Sequence, residues 1–123
     1  MATPETRHTD ESCLFCKIVA GDLPATVVRE DEATLAFRDL DPQAPTHVLV
    51  IPRHHVPDVA GLASERPEDA VALLKMVRAV AEQEGVAGSG YRTVFNTGVE
   101  AQQSVFHAHV HVLGGRSMTW PPG

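Results

Sequence analysis

The sequence predicts an α+β fold, a five-stranded and mostly antiparallel sheet with one long and one short helix. Three observations predict it. Short apolar segments recur between turn residues, and most links between them are too short for a parallel crossover. Only residues 67–84 carry a long helical period. Finally, His107, His109 and His111 alternate with Ala108 and Val110, the period of a strand whose i, i+2 and i+4 side chains share a face.

The elements follow in order. Residues 1–12 are polar and proline-bearing and read as a disordered arm before a single domain at 13–123. Residues 13–20 form a short helix closed by Gly21-Asp22 and Leu23-Pro24. Residues 26–30 are a strand, and Asp31-Glu32 a turn. In residues 33–39 Leu35 and Phe37 alternate with Ala36 and Arg38, which marks a second strand. Residues 41–45 are a loop by composition. Residues 47–51 are apolar enough for a central strand, which Pro52 stops. A connection with Pro57 and Gly61 leads to the long helix. Pro67 suits its first turn, Glu68 and Asp69 complement its positive end, and Gly85 ends it. Its apolar spacing is read through Val71, Leu74, Val77 and Ala81. Residues 91–96 are a fourth strand, residues 97–103 a loop with Gly98, and the histidine row the fifth strand. The tail from Gly114 to Gly123 cannot stay regular for long.

Composition narrows the function. A chain of 123 residues holds one domain. With 10 Lys and Arg against 16 Asp and Glu, its net charge is −6, which argues against a grip on polymeric nucleic acid. A mononucleotide needs only a local anion site and stays within reach. No apolar run approaches the ~20 residues of a membrane helix, and no secretory signal is visible. A cytoplasmic protein without membrane contact is expected. Cys13 and Cys16 are the only cysteines, spaced C-x-x-C, which in a reducing compartment suits a metal or a redox pair. The position near the N-terminus, with no strand before it, favours metal.

Three imidazoles on one face offer a metal site or a nucleophilic site. Rings on a flat strand are separated by ~6–7 Å per two-residue step, so all three converge poorly on one ion. A division of labour is more natural, with one ring as nucleophile and its neighbours orienting it or moving protons.

The segment His107-Ala108-His109-Val110-His111-Val112-Leu113 resembles the signature of the histidine triad (HIT) nucleotide-binding proteins. Further blocks in family order are Phe15-Cys16-Lys17-Ile18, Leu35-Ala36-Phe37-Arg38-Asp39, Pro42-Gln43-Ala44-Pro45-Thr46-His47, Val50-Ile51-Pro52 and Gln103-Ser104-Val105. The ending Val112-Leu113-Gly114-Gly115-Arg116, with Trp120-Pro121-Pro122-Gly123, is similar to the Hint branch. The resemblance implies a HIT-like fold and a purine nucleoside 5′-monophosphoramidase. His109 would attack the α-phosphorus of an AMP-like substrate and form a covalent nucleotidyl-histidine. His111 would contact phosphate, His47 would lie beside the leaving group, and Ser104 would assist its protonation. Leu23, Phe37 and Leu40 would sandwich the base, with Ile18 and Leu49 behind. Asp39 would hold ribose, and Asn96 and Gln103 would complete the nucleotide site. A structural zinc would take Cys13, Cys16, His107 and His55, with His54 the competing ligand. A homodimer is implied, its shared sheet covering an open edge.

Two other functions compete: a dinucleoside polyphosphate hydrolase with the same nucleophile, and a non-catalytic nucleotide- or zinc-binding adaptor. One departure bears on them. The family often carries glycine before the Gln-Ser pair, where this chain reads Ala101-Gln102-Gln103-Ser104. Glycine there permits positive φ or close backbone approach, so Gln102 puts the loop geometry in question.

Overall fold

Every residue of the central strand β3 (Thr46–Pro52) is buried, as expected of an apolar run covered on both faces. In the computed structural model, which describes residues 9–123, β3 is flanked by β2 (Thr34–Arg38) and β5 (Val110–Gly114). Outside these lie β1 (Val27–Glu30) and β4 (Tyr91–Val94), giving the order β1-β2-β3-β5-β4. Every junction is antiparallel. The helices are α1 (Leu14–Ala20), α2 (Val59–Glu65) and α3 (Pro67–Gln83). This is the predicted α+β sheet. Of the N-terminal arm, residues 1–8 lie outside the described residues. Among the described residues no helix is long and apolar enough to cross a membrane.

Strand alternation builds two apolar layers. Ala36, Val48, Val50, Val110 and Val112 face Leu73, Met76, Val77 and Val80 of α3. Leu35, Phe37, Leu49 and Ile51 face the other way and pack with Phe15 of α1. His47 and His111 share the parity of Leu49 and therefore project on the α1 side, since Leu49 pairs with His111 and His47 with Leu113. The register thus places the chemistry opposite the long helix.

Three expectations need correction. Residues 59–65 form α2, which Pro57 and Gly61 made look like a loop. Asp58 caps it by accepting from the Gly61 N–H at 2.8 Å, and Leu62 anchors it in the core. The buried face of α3 runs through Leu73, Met76, Val77, Val80 and Ala81, whereas Val71 and Leu74 are exposed. Most consequentially, β5 begins only at Val110. His107 ends a bend and His109 lies on the irregular segment before β5, where the Ala108 N–H bonds to the Val56 carbonyl at 2.7 Å, so of the three only His111 sits in the sheet.

Gly114 closes the histidine strand where Val86 crosses it. A Cβ there would lie 2.8 Å from Val86 Cγ1 and 2.9 Å from its Cβ, on a side chain with little rotameric freedom. Gly114→Ala is expected to destabilise the fold by about 1–3 kcal/mol, seen as a lower urea midpoint with an unchanged m-value.

Candidate functional site

The two cysteines and two of the histidines meet. Cys13 caps the N-terminus of α1, its Sγ accepting from the Cys16 N–H at 3.4 Å, so one helical turn sets both sulfurs on one side. Asp10 adds its N–H to Cys16 Sγ at 3.4 Å. His55, just beyond β3, places Nδ1 3.3 Å from Cys16 Sγ and 3.1 Å from His107 Nδ1. His107 Nδ1 lies 3.5 Å from Cys13 Sγ and 3.6 Å from Cys16 Sγ. Zn–S and Zn–N bonds of ordinary length at a tetrahedral angle require separations of about 3.3–3.8 Å between donors, so this cage fits zinc closely. Proton placement agrees. His107 Nε2–H donates to the Pro52 carbonyl at 2.8 Å, which leaves the Nδ1 lone pair facing the sulfurs. Burial pushes His107 down to about 4 and Cys16 up to about 11. His107 therefore offers a neutral donor, and the buried Cys16 thiol would ionise only with a cation beside it. The side chain after β3 that joins this cluster is His55 and not the half-buried His54.

The next imidazole is oriented by the first residue of the row. His109 Nδ1–H donates to the His107 carbonyl at 2.7 Å, which leaves its Nε2 with a lone pair. Burial lowers the His109 pKa against the opposing pull of that hydrogen bond, so the ring is neutral. Phe15 packs edge-on against it, with centroids 5.1 Å apart. His111, 5.2 Å further along between centroids, is pushed down to about 4 by burial. Its Nδ1 lies 2.9 Å from Nε2 of the buried His47, which in turn is 3.4 Å from Asp39 Oδ2.

A cleft of about 210 Å³ opens over these rings. It brings together His109, His111, Ser104, Asp39, Phe37 and Leu40, with Ile18 and Leu49 in its wall. Leu40 is almost fully exposed, so it can cover a bound base only as a flap at the rim. Four expected residues are placed elsewhere. Leu23 lines a different hollow with Lys17 and Cys16, because the turn after Gly21 carries it to the far side of α1; Pro24 and Ala25 take its place. Gln103 spends its amide internally: Oε1 accepts from Gly98 N–H at 2.9 Å, and Nε2 donates to the Pro57 and Val105 carbonyls at 2.7 and 3.0 Å. Asn96 lies beyond the end of β4 and does not line the cleft; extending the Val94–His111 register would set it beside His109. His47 stands behind His111 and is not part of the lining. Sequence reasoning missed Leu14, Phe15, Pro24, Ala25 and Val105 as wall residues. The helical i, i+3 relation of Phe15 to Ile18 was the available signal for the first of the aromatic contacts.

The loop before Ser104 answers the question raised by Gln102. Gln102 has φ 66, the one described non-glycine residue at positive φ. The position asks for the glycine-like conformation and the chain meets it with glutamine, at about 1–2 kcal/mol. Gly costs more backbone entropy on folding, about 0.5–1 kcal/mol. Gln102→Gly should therefore gain roughly 0.5–1 kcal/mol, a thermal midpoint higher by roughly 2–4 °C, while Gln102→Ala gains nothing.

Comparison with known proteins agrees with this geometry. The model of the HIT domain family matches residues 20–118. The chain is 51% identical over 121 residues to the 14 kDa zinc-binding protein of Zea mays, covering 95% of this chain and 92% of that one. It is 40% identical over 108 residues to the purine nucleoside phosphoramidase of Escherichia coli (strain K12), covering 88% and 91%. Among solved structures, a HIT family hydrolase from Clostridium thermocellum superposes with TM-score 0.87 at 43% identity, covering 90% of this chain and 96% of that one.

Proposed function

Because this chain belongs to the HIT domain family, we propose that it is a nucleoside 5′-monophosphoramidase, a nucleotide hydrolase working through a nucleotidyl-histidine. The observation that carries the reading is the His109 Nδ1–H bond to the His107 carbonyl, 2.7 Å long, which leaves Nε2 as a lone pair beside the cleft. Nε2 attacks the α-phosphorus, the P–Nε2 bond forms, and the P–N bond to the leaving amine breaks. The positive charge that develops on the ring is met by the same carbonyl. Ser104 lines the cleft and is exposed, so its hydroxyl relays a proton from solvent to the departing amine, regaining one as it gives one up. Water then breaks the P–Nε2 bond and releases the monophosphate.

The cleft favours a phosphoramidate over a polyphosphate. Among the described residues the one guanidinium that lines it, Arg38, is held by Glu84 at 2.7 and 3.1 Å. His111 stays neutral above about pH 4. Neutral donors suit one anionic α-phosphate, and a polyphosphate chain asks for cations along its length. Phe37, Leu40 and Ile18 supply an apolar seat for the base, and Asp39 an acceptor for ribose hydroxyls. A purine monophosphate derivative fits, although no described side chain reads the base edge.

Cys13, Cys16, His55 and His107 would hold a structural zinc with no open position, tying α1 to the segment after β3 and to the histidine row. A second copy paired along the β4 edge would cover the exposed Tyr91 and complete a homodimer. Adenosine 5′-phosphoramidate, an acyl-adenylate and a diadenosine polyphosphate should be mixed with enzyme, acid-quenched and weighed by mass spectrometry. A nucleotidyl adduct on the 107–111 peptide with fastest turnover of the phosphoramidate is expected. Nucleotide binding without any adduct would leave the adaptor reading instead.

A further inference from the structure

Each ring of the row makes a hydrogen bond that dictates where its proton sits: His107 to the Pro52 carbonyl, His109 to the His107 carbonyl, and His111 to the ring of His47. The chain of bonds starts at the loop before β3. The Gln43 backbone N–H points at His47 Nδ1 at 3.0 Å, and an N–H can only donate. His47 Nδ1 is therefore the acceptor, and the neutral ring must carry its proton on Nε2. That Nε2–H lies 2.9 Å from His111 Nδ1, nearer than Asp39 Oδ2 at 3.4 Å. His111 Nδ1 accepts in turn, so the His111 proton sits on Nε2. The Gln43 peptide is itself pinned, its carbonyl accepting from Arg116 Nε at 3.0 Å and its side chain donating to the Asp41 carbonyl at 2.9 Å.

We propose that the Gln43 backbone N–H, acting through His47, locks His111 as an Nε2–H donor, so that neighbouring His109 and His111 hold opposite tautomers. His109 keeps its proton on Nδ1 and offers a lone pair at Nε2; His111 keeps its proton on Nε2 and offers a donor. The backbone makes one ring a nucleophile and the other a clamp for an anionic oxygen. His47 is then a positioning residue that acts through His111, in place of a contact with the leaving group. The proposal rests on the reading of His109 as nucleophile only for its consequence; the tautomers themselves do not depend on turnover. It also decides a chemical question at the same place. Asp39, His47 and His111 bring ligand atoms within 4.8 Å of one another. A cation on His47 Nε2 would force the proton to Nδ1, against the Gln43 N–H, so this group is an anion clamp and not a second metal site.

Long-range proton–nitrogen correlation spectra of the uniformly 15N-labelled, zinc-loaded protein at neutral pH report each tautomer directly. Nε2–H patterns for His47 and His111 and an Nδ1–H pattern for His109 are expected. An Nδ1–H pattern at either His47 or His111 overturns the proposal. Two variants extend the test. His47→Gln keeps an amide donor and should hold the His111 pattern; His47→Leu removes the donor and should leave His111 as a mixture. A wild-type His111 pattern in a folded His47→Leu protein also overturns it. With adenosine 5′-phosphoramidate, His47→Leu should lower kcat by about tenfold or more with little change in KM, and His47→Gln should recover most of the loss. Should the enzyme reading fail, no nucleotidyl adduct forms, yet the spectra still decide the tautomers.

Discussion

His109→Ala is expected to abolish the covalent adduct and lower kcat on adenosine 5′-phosphoramidate by about 10⁴-fold or more. The size follows from geometry. His109 Nε2 is the lone pair that the His107 carbonyl bond makes available at the cleft. His107 Nδ1 is turned to the sulfurs, and His111 Nδ1 is engaged with His47. Neither neighbour can substitute as nucleophile without rearranging those bonds. The variant should still bind AMP, because Phe37, Leu40 and Asp39 are untouched and the cleft only widens. Single-turnover quench and AMP titration on the same preparation separate the two effects. Turnover within tenfold of the parent would remove His109 from the nucleophile's role.

Cys16→Ser should take zinc from about one per chain to near zero and lower the thermal midpoint by more than about 10 °C. The variant loses the buried sulfur that lies within 3.6 Å of both histidine ligands. Activity should fall with it, since His107 serves both sites, its ring toward the cage and its carbonyl toward His109. The pH dependence has a definite sign. The metal-free Cys16 thiol is pushed up to about 11 by burial, so binding must expel its proton. Acid therefore opposes binding, by about tenfold in affinity per pH unit for each thiol that ionises. His107, lowered to about 4, is not protonated until well below that range and does not compete. Metal analysis after dialysis at stepped pH, with a thermal melt at each step, checks both parts. Zinc content unaffected by Cys16→Ser would refute the ligand set.

Much of this architecture was legible in the sequence because it depends on local pattern. The alternation in residues 33–39, the apolar run at 47–51 stopped by Pro52, the Pro67 start of α3 and the closure of α1 at Gly21 are all short-range signals. Other features were masked by competing local rules. Gly61 and Pro57 hid α2, whose reason to be helical is the Asp58 cap and the burial of Leu62. Val71 and Leu74 fit a helical spacing as well as Leu73 and Met76 do, and only the sheet decides which stripe is inside. The histidine row looked like one strand because alternation in sequence continues through the bend and irregular residues that lead into β5.

The candidate site divides the same way. The chain order of the motifs named the family, a nucleophile among the histidines and a C-x-x-C cage. By resemblance it also gave the three histidines unequal roles, but it could not say which nitrogen of each ring keeps the proton. Gln103 shows why a motif residue need not be a ligand contact, since its amide is consumed by the Gly98, Pro57 and Val105 backbone.

By itself the sequence determined which chemical groups are present and most of the strands and helices that frame them, because periodicity and local turn chemistry set those. Only the tertiary structure decided which nitrogen of each imidazole keeps its proton, and so whether the ring offers a lone pair or a donor to its surroundings. For His107 and His111 the deciding partners are remote in the chain, Pro52 at 55 residues and His47 at 64; for His109 it is the His107 carbonyl, close in sequence but aimed by the fold.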